Sequence, residues 1–197
     1  MYKKYLVNGS LKVLRRKGKS HGVKETRGKY SKGKSIRKRD KSVYSRQEAG
    51  HREADTTVSG QGKSKACFAA LAESKTRFYI AVKIPGRKAE AMENAIVAAR
   101  SAFSLDWSRP LPATGVRSSP TGAVWRRMEE QLHCEVYFTD PYCAWQKGAN
   151  ENLNGLLREF YPRGRNLSRV APATLKRNLA LLNARPRKVL NFRSAQD

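Results

Sequence analysis

The chain is most easily interpreted from one stretch, Phe138-Thr-Asp-Pro-Tyr-Cys-Ala-Trp-Gln-Lys-Gly-Ala-Asn-Glu-Asn-Leu-Asn-Gly-Leu-Leu-Arg158. An apolar, strand-like run over 135–138 leads into a Pro-Tyr turn, and a helix is predicted from about Asn150. Apolar side chains then recur at steps of three and four residues, which predicts one buried helix face: Leu153, Leu156, Leu157 and Phe160. Glu151, Asn154 and Arg158 share a different face, which we expect to point away from that core.

Glu151 supports two interpretations on these residues alone. A carboxylate in the first turn of a helix, beside amides and a cation, has the chemistry to hold a metal ion next to a phosphate. An exposed glutamate that is simply favoured by the helix dipole explains the same position equally well.

Composition and charge indicate the class of partner. The 197 residues carry a formal net charge of +25, and the pI is near 10.5. Such an excess of one sign implies a polyanionic partner, and nucleic acid is the first candidate. No apolar run approaches the length of a membrane span, so we expect no membrane partner. The odd cysteines, Cys67, Cys134 and Cys143, show no paired spacing, which favours a reduced, intracellular compartment and makes structural zinc improbable.

The excess charge is greatest at the N-terminus. Residues 1–50 hold 17 Lys and Arg against three acids, with Gly and Ser interspersed. Because such a segment buries too little apolar surface to fold alone, we predict that residues 1–48 form a largely disordered basic arm. The arm is expected to follow DNA phosphates through four of its cations: Lys34, Arg37, Lys38 and Arg39. A merely solvated tail is the alternative.

The pattern after the arm predicts one α/β domain over 49–197. Three strands are predicted at 53–58, 66–72 and 77–84, and the short turns between them favour antiparallel pairing. Helices are predicted at 89–103 and 126–132 and from Pro172 onward. Asp55 lies inside the first strand, where a carboxylate is costly unless it is paired, metal-bound or at an edge. A surface-facing position in the alternating pattern is the simpler explanation.

Four segments resemble the bacterial insertion-sequence transposases of the thirty family, within the wider group of transposases and retroviral integrases that share an Asp, Asp, Glu catalytic triad. They are Glu53-Ala-Asp-Thr-Thr-Val-Ser-Gly60, Arg77-Phe-Tyr-Ile-Ala-Val-Lys-Ile-Pro85, the stretch that ends at Arg158, and Asn183-Ala-Arg-Pro-Arg-Lys-Val-Leu-Asn-Phe192. The resemblance implies a ribonuclease-H-like mixed sheet, with three antiparallel strands followed by helix–strand units and flanked by helices.

The resemblance also implies the site. Asp55 is similar to the family's first catalytic acid and Glu151 to its third. In the family, such acids hold two Mg²⁺ or Mn²⁺ ions for cleavage and transfer of DNA strands. The residues expected to border the DNA are Trp145, Gln146, Lys147, Asn154 and Arg158. A packing role explains Trp145 equally well.

The implied partner is DNA, both the terminal inverted repeats of a transposon and its target, in a cytoplasmic, nucleoid-associated bacterial protein. The resemblance leaves a homo-oligomer open. A function of another class also fits the charge, namely a non-catalytic basic nucleic-acid-binding protein.

The family's second catalytic acid has no counterpart. The neighbourhood where the family carries it, Trp107–Gly122, contains no acid. Its three prolines are predicted to prevent a central strand and to leave residues 104–124 disrupted. We therefore expect the activity of this copy to be impaired.

A compensated pair of frameshifts would explain the loss. With suitable codons, another reading frame of Trp107–Gly122 gives Val-Lys-Thr-Ile-Thr-Cys-Asp-Arg-Gly-Thr-Glu-Phe-Ala-Asn-Trp, which supplies both a family-like strand and the missing acid. Sequencing the coding DNA tests this hypothesis, since codons incompatible with that frame would exclude it.

Overall fold

The computed structural model describes residues 34–102, 111–113, 123–140 and 143–197. Residues 1–33 of the predicted arm and most of the segment 104–124 lie outside the described residues. No described helix is long and apolar enough to cross a membrane.

The described residues form a six-stranded mixed sheet between helices. The strands are β1 (Lys34–Ser35), β2 (Arg52–Val58), β3 (Cys67–Glu73), β4 (Tyr79–Ile84), β5 (Leu111–Ala113) and β6 (Val136–Phe138). The helices are α1 (Ala89–Ala102), α2 (Ala123–Leu132), α3 (Gly148–Phe160) and α4 (Pro172–Ala184). The strand order is β1-β6-β5-β2-β3-β4, in which β2, β3 and β4 pair antiparallel and the remaining neighbours pair parallel. The predicted α/β fold with three successive antiparallel strands is confirmed.

Helices cover both faces of the sheet. The period of two along β3 sends Cys67, Ala69 and Leu71 into one core, which α1 and α2 close. Phe68, Ala70 and Ala72 enter the second core, which α3 and α4 close. Because β3 is buried on both faces, it reads as a continuous apolar run instead of an alternating one. This layering brings α3 over the central strands, where the candidate site lies.

The prediction that prolines prevent a central strand is wrong for residues 111–113. β5 lies between β2 and β6, pairing through Ala113 with Ala54 on one side and over three residues with β6 on the other. The fixed φ of Pro112 is compatible with extended backbone, and its missing N–H removes only one donor from the ladder. The central strand is therefore present and three residues long.

The prediction of a disordered arm is wrong for residues 34–48. β1 pairs parallel with β6 at the edge of the sheet, and two short 3₁₀ turns follow, capped by the side chains of Ser35 and Asp40. Ile36 and Val43 are both buried in the fold. The prediction is based on the average charge of residues 1–48, and that average does not reveal single buried apolar side chains such as Ile36 and Val43.

Replacing Ile36 with alanine should test whether the segment is part of the folded domain. Ile36 is only 1% exposed, so Ile36→Ala should lower the free energy of unfolding by about 2 kcal/mol through lost burial and a residual cavity. Urea unfolding measures this loss. The exposed Lys38→Ala is the matched control, and equal effects of the two variants would mean that the segment is not docked.

Candidate active site

One face of β2 is polar and lies against α3. Alternation along the strand directs Glu53, Asp55 and Thr57 to the same side, and each contacts the helix. Glu53 Oε2 accepts the backbone N–H of Asn150 at 2.8 Å. Asp55 Oδ2 accepts from Asn154 Nδ2 at 3.4 Å, and Thr57 Oγ1 donates to Asn154 Oδ1 at 3.0 Å. Every second residue of the strand and every fourth residue of the helix therefore face each other and form one polar strip.

This arrangement shows what the polar face of α3 contacts. Asn154 and Arg158 are half-buried against β2. Arg158 donates from Nη2 to the Val58 carbonyl at 3.2 Å. Only Glu151 of the predicted three is exposed. The sequence gives the helical spacing correctly, but it does not show that the strand opposite is polar.

Asn150 fixes the start of α3 on the sheet. It is 0% exposed, and its side-chain amide donates to the carbonyls of Glu53 at 2.7 Å and Ala70 at 3.3 Å. The next residue is Glu151, so this anchor also sets where that carboxylate stands. Sequence reasoning missed Asn150, although a signal existed. Asn150 lies three residues before Leu153, so it is a polar residue on the same helix face as the apolar stripe.

Glu53 is a second residue that the sequence interpretation missed. Burial raises the pKa of this carboxyl, while the Asn150 N–H and the guanidinium groups of Arg46, Arg39 and Arg77 lower it in part. The folded protein therefore holds a proton on Glu53 more tightly than the unfolded chain does.

The raised pKa of Glu53 predicts the sign of a pH effect. A carboxyl whose pKa is higher in the folded state contributes stability below its unfolded pKa, and this contribution is lost as pH rises through the folded pKa. The window lies between the folded pKa of Glu53 and its lower, unfolded pKa. As the pH is lowered from neutral through that window, the unfolding free energy of the wild type minus that of Glu53→Gln should increase. Urea unfolding of both proteins across the window gives the difference, and a difference that falls with decreasing pH would contradict the prediction.

The ammonium of Lys147 is turned inward onto Asp55. Its side chain is 5% exposed, and Nζ lies 3.1 Å from Asp55 Oδ1. Nζ also donates to the Ala54 carbonyl at 3.3 Å. Burial lowers the pKa of Lys147, and the carboxylates of Asp55, Glu53 and Glu151 partly restore it. The sequence interpretation places Lys147 on a DNA phosphate, whereas in this structure the ammonium neutralises an acid of its own chain.

Both candidate catalytic acids therefore act on the same cation. Asp55 forms the direct ion pair, and Glu151, in the first turn of α3, attracts the same ammonium electrostatically. Lys147 belongs to the 3₁₀ turn Ala144–Lys147, which runs directly into α3. Asn154, which lies three residues after Glu151 on α3, donates to Asp55, so Glu151 and the contact with Asp55 share one side of the helix.

Asn154 holds the other oxygen of Asp55 in a fixed hydrogen-bond network. Its Oδ1 accepts from the hydroxyls of Thr57 and Tyr79, at 3.0 and 2.5 Å. Burial raises the pKa of Tyr79, so its hydroxyl stays protonated and able to donate. With Oδ1 committed to two donors, the amide nitrogen of Asn154 faces Asp55.

The described residues do not fit a site for two divalent ions. No group of three or more His, Cys, Asp or Glu that could hold a metal ion occurs among them. Asp55 Oδ1 already accepts from the Thr56 N–H and pairs with Lys147, and Oδ2 accepts from Asn154. The register of β5 pairs Ala113 with Ala54. The sequence that follows Ala113, up to Gly122, contains no acid.

The predicted DNA-binding residues of the turn before α3 differ in their exposure. Trp145 is 73% exposed, which argues against a packing role. Gln146 is committed within the protein, since its Oε1 accepts the Asp140 N–H at 2.8 Å and its Nε2 donates to Asp140 Oδ2 at 3.0 Å. Trp145 is therefore the residue of this turn that is available to a partner.

The four predicted cations of the arm are also in different situations. Lys34 pairs with Glu135 at 2.7 Å, and Arg37 pairs with Asp140 at 3.0 Å. Arg39 is buried, with its guanidinium 4.8 Å from the centroid of the Tyr44 ring. Lys38 is exposed. Their contact with DNA stays a prediction, and Lys38 is exposed without an ion pair to a described carboxylate.

The fold is the ribonuclease-H-like fold that integrase catalytic cores have. The catalytic core domain of BIV integrase is similar over 76% of this chain and 92% of its own, with a TM-score of 0.52 and 16% sequence identity, which establishes the fold alone. No family model matches the chain.

The sequence relatives include transposases of insertion sequences. Transposase InsI for insertion sequence element IS30A of Escherichia coli (strain K12) is 34% identical over 193 residues, which is 92% of this chain and 46% of that protein. The transposase for insertion sequence element IS1086 of Cupriavidus metallidurans is 32% identical over 178 residues, 86% of this chain and 49% of that protein. The chain is a homologue of the IS30-family transposases over most of its length, and it spans just under half the length of these relatives.

Proposed function

We propose that the chain is the catalytic-core domain of a DNA transposase, able to bind DNA but impaired in strand cleavage and transfer. The observation that supports the proposal is the packing of α3 on β2, where Lys147 pairs with Asp55 and Asn154, three residues after Glu151, donates to Asp55. Homology to transposases over most of the chain supports the reaction class. The impairment follows from the absence of a second acid between Trp107 and Gly122 and from the commitment of Asp55 to an ammonium.

DNA is the partner that the charge supports. A net charge of +25 favours binding to a polyanion whatever its base sequence. The exposed Trp145, two residues before Lys147, offers a ring that can stack on a base. We propose terminal inverted repeats and target DNA as the ligands and the bacterial nucleoid as the place of action. Divalent Mg²⁺ or Mn²⁺ is the cofactor of the proposed reaction class, and the described residues of this chain supply only an incomplete site for it.

A non-catalytic nucleic-acid-binding role is the second candidate, and a specific observation favours it. The ion pair between Lys147 and Asp55 satisfies the buried ammonium without any added ion. Such a protein would bind DNA through its charge and would lack metal-dependent activity.

An inverted-repeat DNA assay tests DNA binding and the proposed impairment. A duplex ending in the terminal inverted repeat of an IS30-type element is incubated with Mn²⁺ and with either the wild type or Glu151→Ala. We expect the wild type to bind the duplex with an affinity that falls steeply with added salt. We expect the wild type to nick about as little DNA as Glu151→Ala does. Nicking that Glu151→Ala abolishes would establish a working enzyme and contradict the impairment. Failure of the wild type to bind DNA would contradict the proposal as a whole.

A further inference from the structure

A cleft of about 810 Å³ opens at the end of β2, away from the acids of the candidate site. Its walls are the loop between β2 and β3 and the loop between β4 and α1. Among the residues that line it are Val58, Ser59, Gly60, Lys65, Arg87 and Lys88.

The charged residues of the lining are all cations. Lys65, Arg87 and Lys88 are exposed. None of them lies within ion-pair distance of a carboxylate among the described residues, in contrast to Lys34 and Arg185, whose ion pairs are with Glu135 and Glu159. The cleft therefore presents three uncompensated positive charges to solvent, which favours an anionic occupant.

The wall formed by the β2–β3 loop is fixed before any ligand binds. The Gly60 N–H donates to the Arg165 carbonyl at 2.9 Å. Ser59 Oγ accepts the Leu167 N–H at 3.1 Å and donates to the Ala66 carbonyl at 2.6 Å. A Cβ at Gly60 would collide with the backbone of Gly164, so the close approach requires glycine. A preformed wall lowers the entropic cost of binding.

The cleft lies at the end of β2 and does not adjoin the Asp55 side chain directly. Val58 lines the cleft three residues after Asp55, so the two side chains point to opposite faces of the sheet. Arg158 of α3 donates to the Val58 carbonyl, so the helix that carries Glu151 reaches the edge of the cleft.

We propose that this basic cleft binds the sugar–phosphate backbone of DNA through Lys65, Arg87 and Lys88. The inference rests on the proposed function and adds a second contact region to it. Cationic side chains there contact phosphates and do not read bases. This contact does not depend on whether Asp55 and Glu151 perform chemistry.

Charge reversal with a matched control tests the proposal. The cleft variant combines Lys65→Glu, Arg87→Glu and Lys88→Glu. The control combines Lys176→Glu, Arg177→Glu and Arg193→Glu. Lys176 and Arg177 lie on α4, which covers the opposite face of the sheet from α1, and all three control residues are exposed. Both triples change the net charge equally, and both change only exposed side chains. Circular dichroism and thermal unfolding establish that each variant is folded.

Fluorescence anisotropy with a labelled duplex gives the dissociation constant at several salt concentrations. The cleft variant should bind at least about tenfold more weakly than the control, with a salt slope shallower by about two to three. Equal loss in both triples would overturn the cleft as a binding site while leaving the proposed function intact. Absence of DNA binding by the wild type would overturn the proposed function itself.

Discussion

The Asp55→Ala variant should lose about 3 to 5 kcal/mol of unfolding free energy, because it leaves the ammonium of Lys147 buried without a carboxylate. The asymmetry of the pair gives a second expectation. The side chain of Asp55 is 27% exposed and that of Lys147 only 5%. Asp55 can rehydrate when its partner is removed, so Lys147→Met should cost less than Asp55→Ala. Urea unfolding of both variants measures the two losses.

The double variant Asp55→Ala with Lys147→Met provides the control. It should be more stable than Asp55→Ala alone, since no buried charge is left unpaired, and the cycle isolates the interaction of the two groups. Glu151→Ala, at an exposed position, should change stability little. In a site where several acids converge, removing one relieves repulsion between like charges. A stabilised Asp55→Ala variant would therefore contradict the ion-paired arrangement.

The Asn150→Asp variant should destabilise the fold by about 3 kcal/mol or more at neutral pH. The new carboxylate would face the carbonyls of Glu53 and Ala70, which now accept from the amide, and it would lie beside the carboxyl of Glu53. A buried charge that meets only acceptors has no compensating hydrogen bond. The loss should shrink as the pH is lowered, because a protonated carboxyl can again donate one hydrogen bond.

Asn152→Asp is the matched control for this prediction. It makes the same chemical change two residues later, at an exposed position near the start of α3. A carboxylate there is favoured by the helix dipole, so stability should stay within about 0.5 kcal/mol of the wild type. Urea unfolding at neutral and acidic pH distinguishes the variants. Equal losses at both positions would mean that Asn150 does not anchor the helix.

The sequence predicts those elements whose apolar period is long and regular. β3 and β4 follow from two apolar runs joined by a short turn, β2 from the strand-like run before them, and α3 from its leucine spacing. β5 is missed because a proline such as Pro112 disfavours a strand. Pairing with β2 and β6 nevertheless stabilises its three residues. Ile36 and Val43 are missed because the surrounding charge dominates the local pattern.

The site shows where reasoning from sequence stops. The positions of Asp55 and Glu151 on their elements could be predicted, whereas the direction of Lys147 could not. Its ion pair joins residues 92 positions apart, and the bond from Asn150 to Glu53 spans 97. Such contacts depend on how α3 packs on the sheet, and no local pattern encodes them. The frameshift hypothesis stays a prediction, which the coding DNA tests.

The central claim is that Asp55 is neutralised by Lys147 of its own chain and does not form part of a working divalent-ion site. Titration of the wild type and of Asp55→Asn with Mn²⁺, followed by the electron paramagnetic resonance signal of the free ion, tests it most directly. The two curves should coincide, without saturable binding at micromolar concentrations. Saturable micromolar binding by the wild type that Asp55→Asn abolishes would contradict the account.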